Sequence, residues 1–261
     1  MKTFTSHNFG KIACPETVDE VLKCAIEPER LEPFNVWMWR GQSDIGWKVG
    51  SAAYRRLKIS NKSPAEKNII SYEKRLIKSA RYRGYDFSDG RPLSDFDVLA
   101  KLQHHGAATR LLDATRSVLV GLYFAAEGRP DRTGVLLGFH CYDLGGYEAS
   151  AEIRDYDEVV AKLGDHMHFQ TWEPSEVSKR IAAQHSQFLY SANQSRTYTG
   201  LGFNDKEDGM MALAISPDLK PKVLKVLSET FDIRLPTLFP DLSGFCESNS
   251  VRYAENHFSR W

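Results

Sequence analysis

An α+β fold built as a single domain is what the sequence predicts, on three observations. Segments with helical and with strand periodicity alternate along the chain without the regular βαβ rhythm of a doubly wound sheet. Ser117–Ala126 (SVLVGLYFAA) is apolar all round, as a core helix must be, and Gly134–Cys141 (GVLLGFHC) follows as a continuous apolar interior strand. No Pro/Gly/Ser-rich linker divides the 261 residues.

Element by element, Thr17 caps a short helix over Val18–Ile26 whose Val18, Val21, Leu22, Ala25 and Ile26 share a face. The residues before Val36 therefore read as a helical lead-in. Val36–Arg40 is an aromatic-rich run ending at Gly41, a strand. Ser63-Pro64-Ala65-Glu66 reads as a capping box with proline at the first helical position, opening a helix striped by Ile69, Ile70, Leu76, Ile77 and Ala80. Further helices are expected at Val98–His104, Asp157–Leu163, Glu173–Ala183, Lys222–Phe231 and in the tail from Gly244; Phe188–Tyr190 and Met210–Ile215 read as strands.

Composition sets the class. Hydrophobic residues at 42% and aromatics at 11% are those of a chain that buries a core. Four scattered cysteines without a C-x-x-C pair give neither a zinc ribbon nor a disulfide framework, and the N-terminus MKTFTSHNFGKIACPET lacks the apolar run of a signal peptide. Reduced thiols and a cytoplasmic location, with no membrane partner, are expected. Net charge is zero but unevenly spread: from Arg40 to Arg116 there are 16 Lys/Arg against 8 Asp/Glu, and from Ser117 to Arg180 6 against 11. The first stretch is either an ordinary solvated surface or a face suited to phosphates and nucleic acid.

Two segments carry the candidate chemistry. Arg40-Gly41-Gln42-Ser43 lies at a strand end, where a guanidinium can hold a phosphate or carboxylate bidentately and Gly41 would let a ligand approach the backbone; the alternative is an arginine tied to a core carboxylate. Gln103 to Thr115 (QHHGAATRLLDAT) is the densest group of chemically capable side chains, directly before the apolar helix, whose N-terminus favours an anion. Asp113 or Thr115 serves alternatively as a simple N-cap, and Arg110–Asp113 as a structural ion pair. Gln184-His185-Ser186-Gln187-Phe188 interrupts apolar surroundings as either a site wall or a turn. His166-x-His168 lacks carboxylate or cysteine partners nearby, so no metal site is expected.

These segments, in this order, resemble the FRG domain family. The resemblance rests on Trp39–Gln42, Arg55 with Glu73, and the signature Gln103-His104-His105-Gly106…Thr109–Thr115 leading into Leu122–Ala125. It continues through Arg180–Gln184 with Phe188 and Leu238–Gly244, and so implies an FRG domain over residues 36–245, with 1–35 as a helical lead-in and 246–261 as a tail packed on the same domain. What it implies is a mixed sheet with surrounding helices similar to the NAD-binding half of ADP-ribosyltransferases. It also implies a function as ADP-ribosylating toxins of bacterial toxin–antitoxin or phage-defence systems. On that resemblance Arg40, Asp113 and Gln184 are the catalytic candidates. Arg40, Gly41, Gln42, His104, Thr109, Arg110 and Thr115 are the candidates for holding NAD. Gln184 stands near the place where those enzymes carry a glutamate, so the charge that stabilises the oxocarbenium-like ribose as nicotinamide leaves falls to Asp113, Glu173 or Glu176, or is dispensed with. The implied partners are NAD, an RNA, DNA or protein acceptor, and an antitoxin protein. The readings competing with it are a non-enzymatic module that binds a nucleotide or nucleic acid through the Arg40–Arg116 face, and a metal-independent nuclease using His104 and Arg110.

Overall fold

The fold, obtained as a computed structural model, describes residues 1–26, 37–60, 64–140, 155–163, 170–175, 178–193 and 210–253. The expectations for Val36, Ser63, Cys141, His166, His168, Glu176 and residues 254–261 lie outside them. The chain runs β1 (Lys2–Ser6), β2 (Gly10–Cys14), α1 (Val18–Ile26), β3 (Trp37–Gln42), α2 (Ala52–Ser60) and α3 (Glu66–Tyr82). A two-stranded hairpin β4 (Phe87–Ser88) and β5 (Arg91–Pro92) leads to α4 (Asp95–His104), β6 (Leu112–Thr115), α5 (Val118–Ala126) and β7 (Gly134–His140). Then come α6 (Tyr156–Lys162), β8 (Gln170–Trp172), α7 (Lys179–Ala183), β9 (Ser186–Tyr190), β10 (Met210–Ile215) and α8 (Lys220–Phe231). Short helices α9 (Leu235–Leu238) and α10 (Leu242–Ser248) and a 3₁₀ turn (Val251–Tyr253) close the described chain.

Eight strands form one mixed sheet in the order β1-β2-β10-β7-β3-β6-β9-β8, parallel only between β2 and β10. The α+β expectation holds in this arrangement. The helical lead-in does not: residues 2–14 form a β-hairpin that extends the sheet, and among the described residues of 1–35 only Val18–Ile26 is helical. Those two strands carry few apolar residues, and pairing rather than burial makes them. Thr115 ends strand β6, and of the helix expected over Glu173–Ala183 the described residues are helical over Lys179–Ala183. The cap of α3 comes from Asn68, whose Oδ1 accepts the Ala65 N–H at 2.8 Å. Helix α4 starts earlier than its apolar pattern, because the Ser94 side chain accepts the Asp97 N–H.

Helix α5 lies across β3 and β7 at very close range, and glycines make that approach possible. A Cβ on Gly41 would meet Gly121 O at 2.0 Å, and one on Gly134 would meet Ala125 O at 2.1 Å. With α1 and α8, this helix buries one face of the sheet around Trp39, Leu122, Leu136 and Val223. The opposite face packs Met38, Leu112, Val135, Leu137 and Phe139. A third cluster, with Phe96, Leu99, Tyr156, Trp172 and Phe188, joins α3, α4 and α6 to the β8–β9 end. Among the described residues no helix is long and apolar enough to cross a membrane.

Candidate functional site

The sheet opens between β3 and β6. Six residue pairs join β3 to β7 and four join β6 to β9, but only Trp39 and Thr115 pair β3 with β6. Past that pair the two strands diverge, and a side chain spans the gap: Arg40 Nη1 donates to the Asp113 carbonyl at 2.6 Å. A cavity of about 330 Å³ occupies this split. Its walls are the aromatic rings of Trp39, Phe124, Phe188 and Phe239, and its polar groups are Arg40, Gln103, His104, Asp113, Thr115, Arg180, Gln184 and Ser186.

The Arg40 Nε is buried and has no hydrogen-bond partner among the described residues. Burial and the charge of Arg55 oppose the guanidinium's proton while Asp113 favours it, and it is held below its ordinary value. A guanidinium remains charged at any physiological pH. A buried N–H of a cation without an acceptor is costly, and a ligand oxygen would relieve that cost.

Asp113 faces solvent at the rim, and its position is set by a relay. Thr109 Oγ1 donates a short hydrogen bond to Gln103 Oε1, which turns the Gln103 amide so that Nε2 donates to Asp113 Oδ1 at 2.7 Å. Thr109 itself is fully buried and does not line the cavity. It thus positions the site rather than touching a ligand.

Arg180 and His104 are held by one carboxylate. Arg180 donates from Nε and Nη2 to Asp241 at 2.9 and 2.8 Å, and its guanidinium lies 4.6 Å from the Phe239 ring centroid. His104 places Nε2 3.3 Å from Asp241 Oδ2 and Nδ1 3.3 Å from Ser178 Oγ. The hydrogen bond from Arg180, helped by the Gly244 N–H, holds Asp241 down at about 2. Burial and the charges of Arg180 and His105 lower His104, so its ring is neutral near pH 7.

Other predicted residues stand elsewhere. Arg110, expected to hold NAD, is a core cation: its backbone N–H and Nε each donate to Glu73 at 2.6 Å, Nη1 to Glu66 at 2.9 Å and Nη2 to Tyr156 at 2.8 Å. It is 2% exposed, and the Ala107–Leu111 segment is pinned toward α3 by Tyr72 OH, which donates to Ala108 O. Neither Asp113 nor Arg55 is its partner or that of Glu73; Arg55 donates to Gly50 O instead. Gln42 is buried and donates to Trp47 O at 3.1 Å, away from the cavity. Gly41 lines the cavity, but its missing Cβ is spent on the approach of α5 and not on a ligand.

Thr115 lines the cavity with its hydroxyl already committed, donating to Gln184 O and accepting the Ser117 N–H. The N-cap of α5 is Ser117, and neither Asp113 nor Thr115 fills that role. Gln184 lines the cavity and donates from Nε2 to Leu238 O at 3.0 Å. Glu173 pairs with Arg116 at 2.9 Å outside it. Sequence reasoning marked Gln103 as part of its segment but gave it no role, and left Phe124, Arg180, Phe239 and Asp241 out of the site, although Arg180 and Asp241 stand in the motif segments Arg180–Gln184 and Leu238–Gly244.

No curated protein and no solved structure matches the chain. The family model of the FRG domain matches residues 35–133, which takes in β3, the Arg110–Glu73 pair and the Thr109–Gln103–Asp113 relay and stops before Arg180, Gln184 and Asp241. Arg40 and its cavity partners Gln103, His104, Asp113 and Thr115 all fall within that match: the chain carries an FRG domain.

Proposed function

We propose that this cavity is the active site of an NAD-dependent ADP-ribosyltransferase that acts in the cytoplasm on a macromolecular acceptor. The observation that carries the reading is the buried, unpartnered Nε of Arg40 in a cavity walled by aromatic rings. A cation short of an acceptor, beside flat apolar surfaces, suits a planar base joined to a ribose and phosphates. At about 330 Å³ the cavity is at the small end of ligand sites, so it takes the nicotinamide–ribose end while the rest of the dinucleotide lies outside.

In the reaction, the bond between ribose C1′ and the nicotinamide nitrogen breaks, and its electron pair leaves with nicotinamide. An acceptor oxygen or nitrogen forms the new bond to C1′ and gives its proton to Asp113 or to water. Asp113 has one oxygen fixed by Gln103 and supplies negative charge to the oxocarbenium-like ribose. Gln184 is neutral and positions the ribose.

The test is incubation with NAD labelled in the ADP-ribose moiety together with cellular RNA, DNA and protein. Arg40→Ala should abolish transfer with little change in melting temperature. Asp113→Asn should cost on the order of 10²–10³-fold in turnover. Gln184→Ala, losing one neutral hydrogen bond, should cost roughly 2- to 13-fold. Faster turnover in Gln184→Glu would move the catalytic charge to that position. A second reading, a nucleotide-binding module without turnover, is favoured by the neutral Gln184 and by Asp113 being the one carboxylate lining the cavity among the described residues. NAD binding without nicotinamide release selects it, and absence of both binding and turnover refutes the transferase.

A further inference from the structure

A basic and aromatic surface stands apart from the cavity, at the end of α3 and on the following hairpin. From Lys74 to Arg91 there are 6 Lys/Arg against 2 Asp/Glu, in a chain whose net charge is zero. Arg75, Lys78, Arg83 and Arg91 are exposed and form no ion pair among the described residues. Arg75, Lys78 and Tyr82 recur at helical spacing and lie along one face of α3.

The same segment exposes three aromatic side chains. Tyr82 is 92% exposed, Tyr85 51% and Phe87 52%. Nothing local requires this, since α3 buries Ile69, Ile77 and Ala80 and leaves Tyr82 with water. The backbone beneath is fixed. Gly84 adopts φ +74° and the Tyr85 N–H returns to Ala80 O, which ends α3 sharply. Asp89 and Gly90, both at positive φ, form the tight hairpin turn that presents Phe87. Lys101 of α4 donates to Phe87 O at 2.6 Å, so the hairpin is tied to the helix whose last turn supplies Gln103 and His104 to the cavity.

We infer that this surface binds single-stranded nucleic acid, with bases stacked on Tyr82, Tyr85 and Phe87 and phosphates met by Arg75, Lys78, Arg83 and Arg91. Aromatic faces accept unstacked bases of any sequence, and interleaved cations follow the backbone. A duplex hides its base faces and offers the aromatics nothing. A purely acidic protein surface would use the cations and leave the rings in water. As the acceptor of the transfer proposed above, the strand rests on that reading; as a ligand of this surface it does not, and the test contains no NAD.

The probe is a fluorescein-labelled 15-nucleotide DNA strand of mixed sequence, followed by anisotropy, with the same strand annealed to its complement and with polyglutamate as competitor. The single strand should bind at least 10-fold more tightly than the duplex and resist polyglutamate of equal charge. Each of Tyr82→Ala, Tyr85→Ala and Phe87→Ala should weaken it on the order of 10-fold, with unchanged melting because these rings are exposed. Four phosphate contacts give a slope of about −2.8 for log affinity against log salt, and Arg83→Gln with Arg91→Gln should halve it. Equal binding of duplex, displacement by polyglutamate, indifference to the three alanine changes, or no binding at all would each overturn the inference. Arg40→Ala should bind the strand as the wild type does, because Arg40 lies in the cavity and not on this surface; weakened binding there would overturn the placement.

Discussion

Replacing Arg110 by methionine tests the division between core and site most directly. Methionine keeps much of the side-chain volume and removes the guanidinium, leaving the Glu73 carboxylate at 0% exposure with only the Arg110 backbone N–H and the Tyr156 hydroxyl. In the wild type, burial opposes the Arg110 charge, but Glu73, Tyr156 and Glu66 outweigh it and hold its proton above the ordinary value. Breaking one side of a buried pair costs about 3–5 kcal/mol, because the remaining charge stays uncompensated. At about 2–4 °C per kcal/mol for a chain of this size, the melting temperature should fall by roughly 6–20 °C. Adding Glu73→Gln should recover part of the loss: the amide oxygen still accepts the Arg110 N–H, and no buried charge is left. Urea unfolding of wild type, both single variants and the double variant gives the coupling directly. A variant that melts within about 2 °C of wild type yet has lost NAD turnover would place Arg110 in the site and refute this account.

Gly41→Ala should be poorly tolerated, because its Cβ would meet three backbone atoms of α5, Gly121 O, Ala125 N and Phe124 C, at 2.0 to 2.7 Å. Helix α5 must then shift and carry Phe124 with it, at a cost of about 1–3 kcal/mol or more; thermal melting within about 0.5 kcal/mol of wild type would contradict the packing. Asp241→Asn should remove stability that is fully present above the carboxyl's ordinary 3.8 and lost as pH falls through about 2. Because that side chain is 24% exposed, about 2 kcal/mol is an upper bound at pH 7, read from urea unfolding at pH 7, 4 and 2.5. An unchanged acid slope would rule out the Arg180–Asp241 pairing. In the same variant His104 should titrate lower still, since Asp241 favours its charged form, and ring proton shifts in NMR would show the direction.

The α+β class, α1, α5, β7 and β10 were legible in the sequence because their signal is local. An all-round apolar run has only the core to go to, and Thr17 begins α1 by its own hydroxyl, which accepts the Glu20 N–H. The Trp39–Ser43 and Gln103–Thr115 segments were likewise marked by the density of their polar groups, and the structure brings Arg40, Gln103, His104, Asp113 and Thr115 to one cavity. What each residue does inside those segments was decided by tertiary structure. Alternation in β6 sends Asp113 to the rim, while the preceding loop turns Arg110 onto α3, where Glu73 sits in an otherwise apolar stripe. No local pattern distinguishes these two outcomes, since both residues are charged and stand three positions apart. The strand hairpin at residues 2–14 was invisible for a related reason: its strands pair with each other without an apolar pattern to mark them, and its place in the sheet depends on β10, far along the chain, which β2 meets at Ala13 and Leu213. Arg180 and Asp241 joined the site in the same way, through a bidentate pair between residues 61 positions apart that only the folded chain brings within reach.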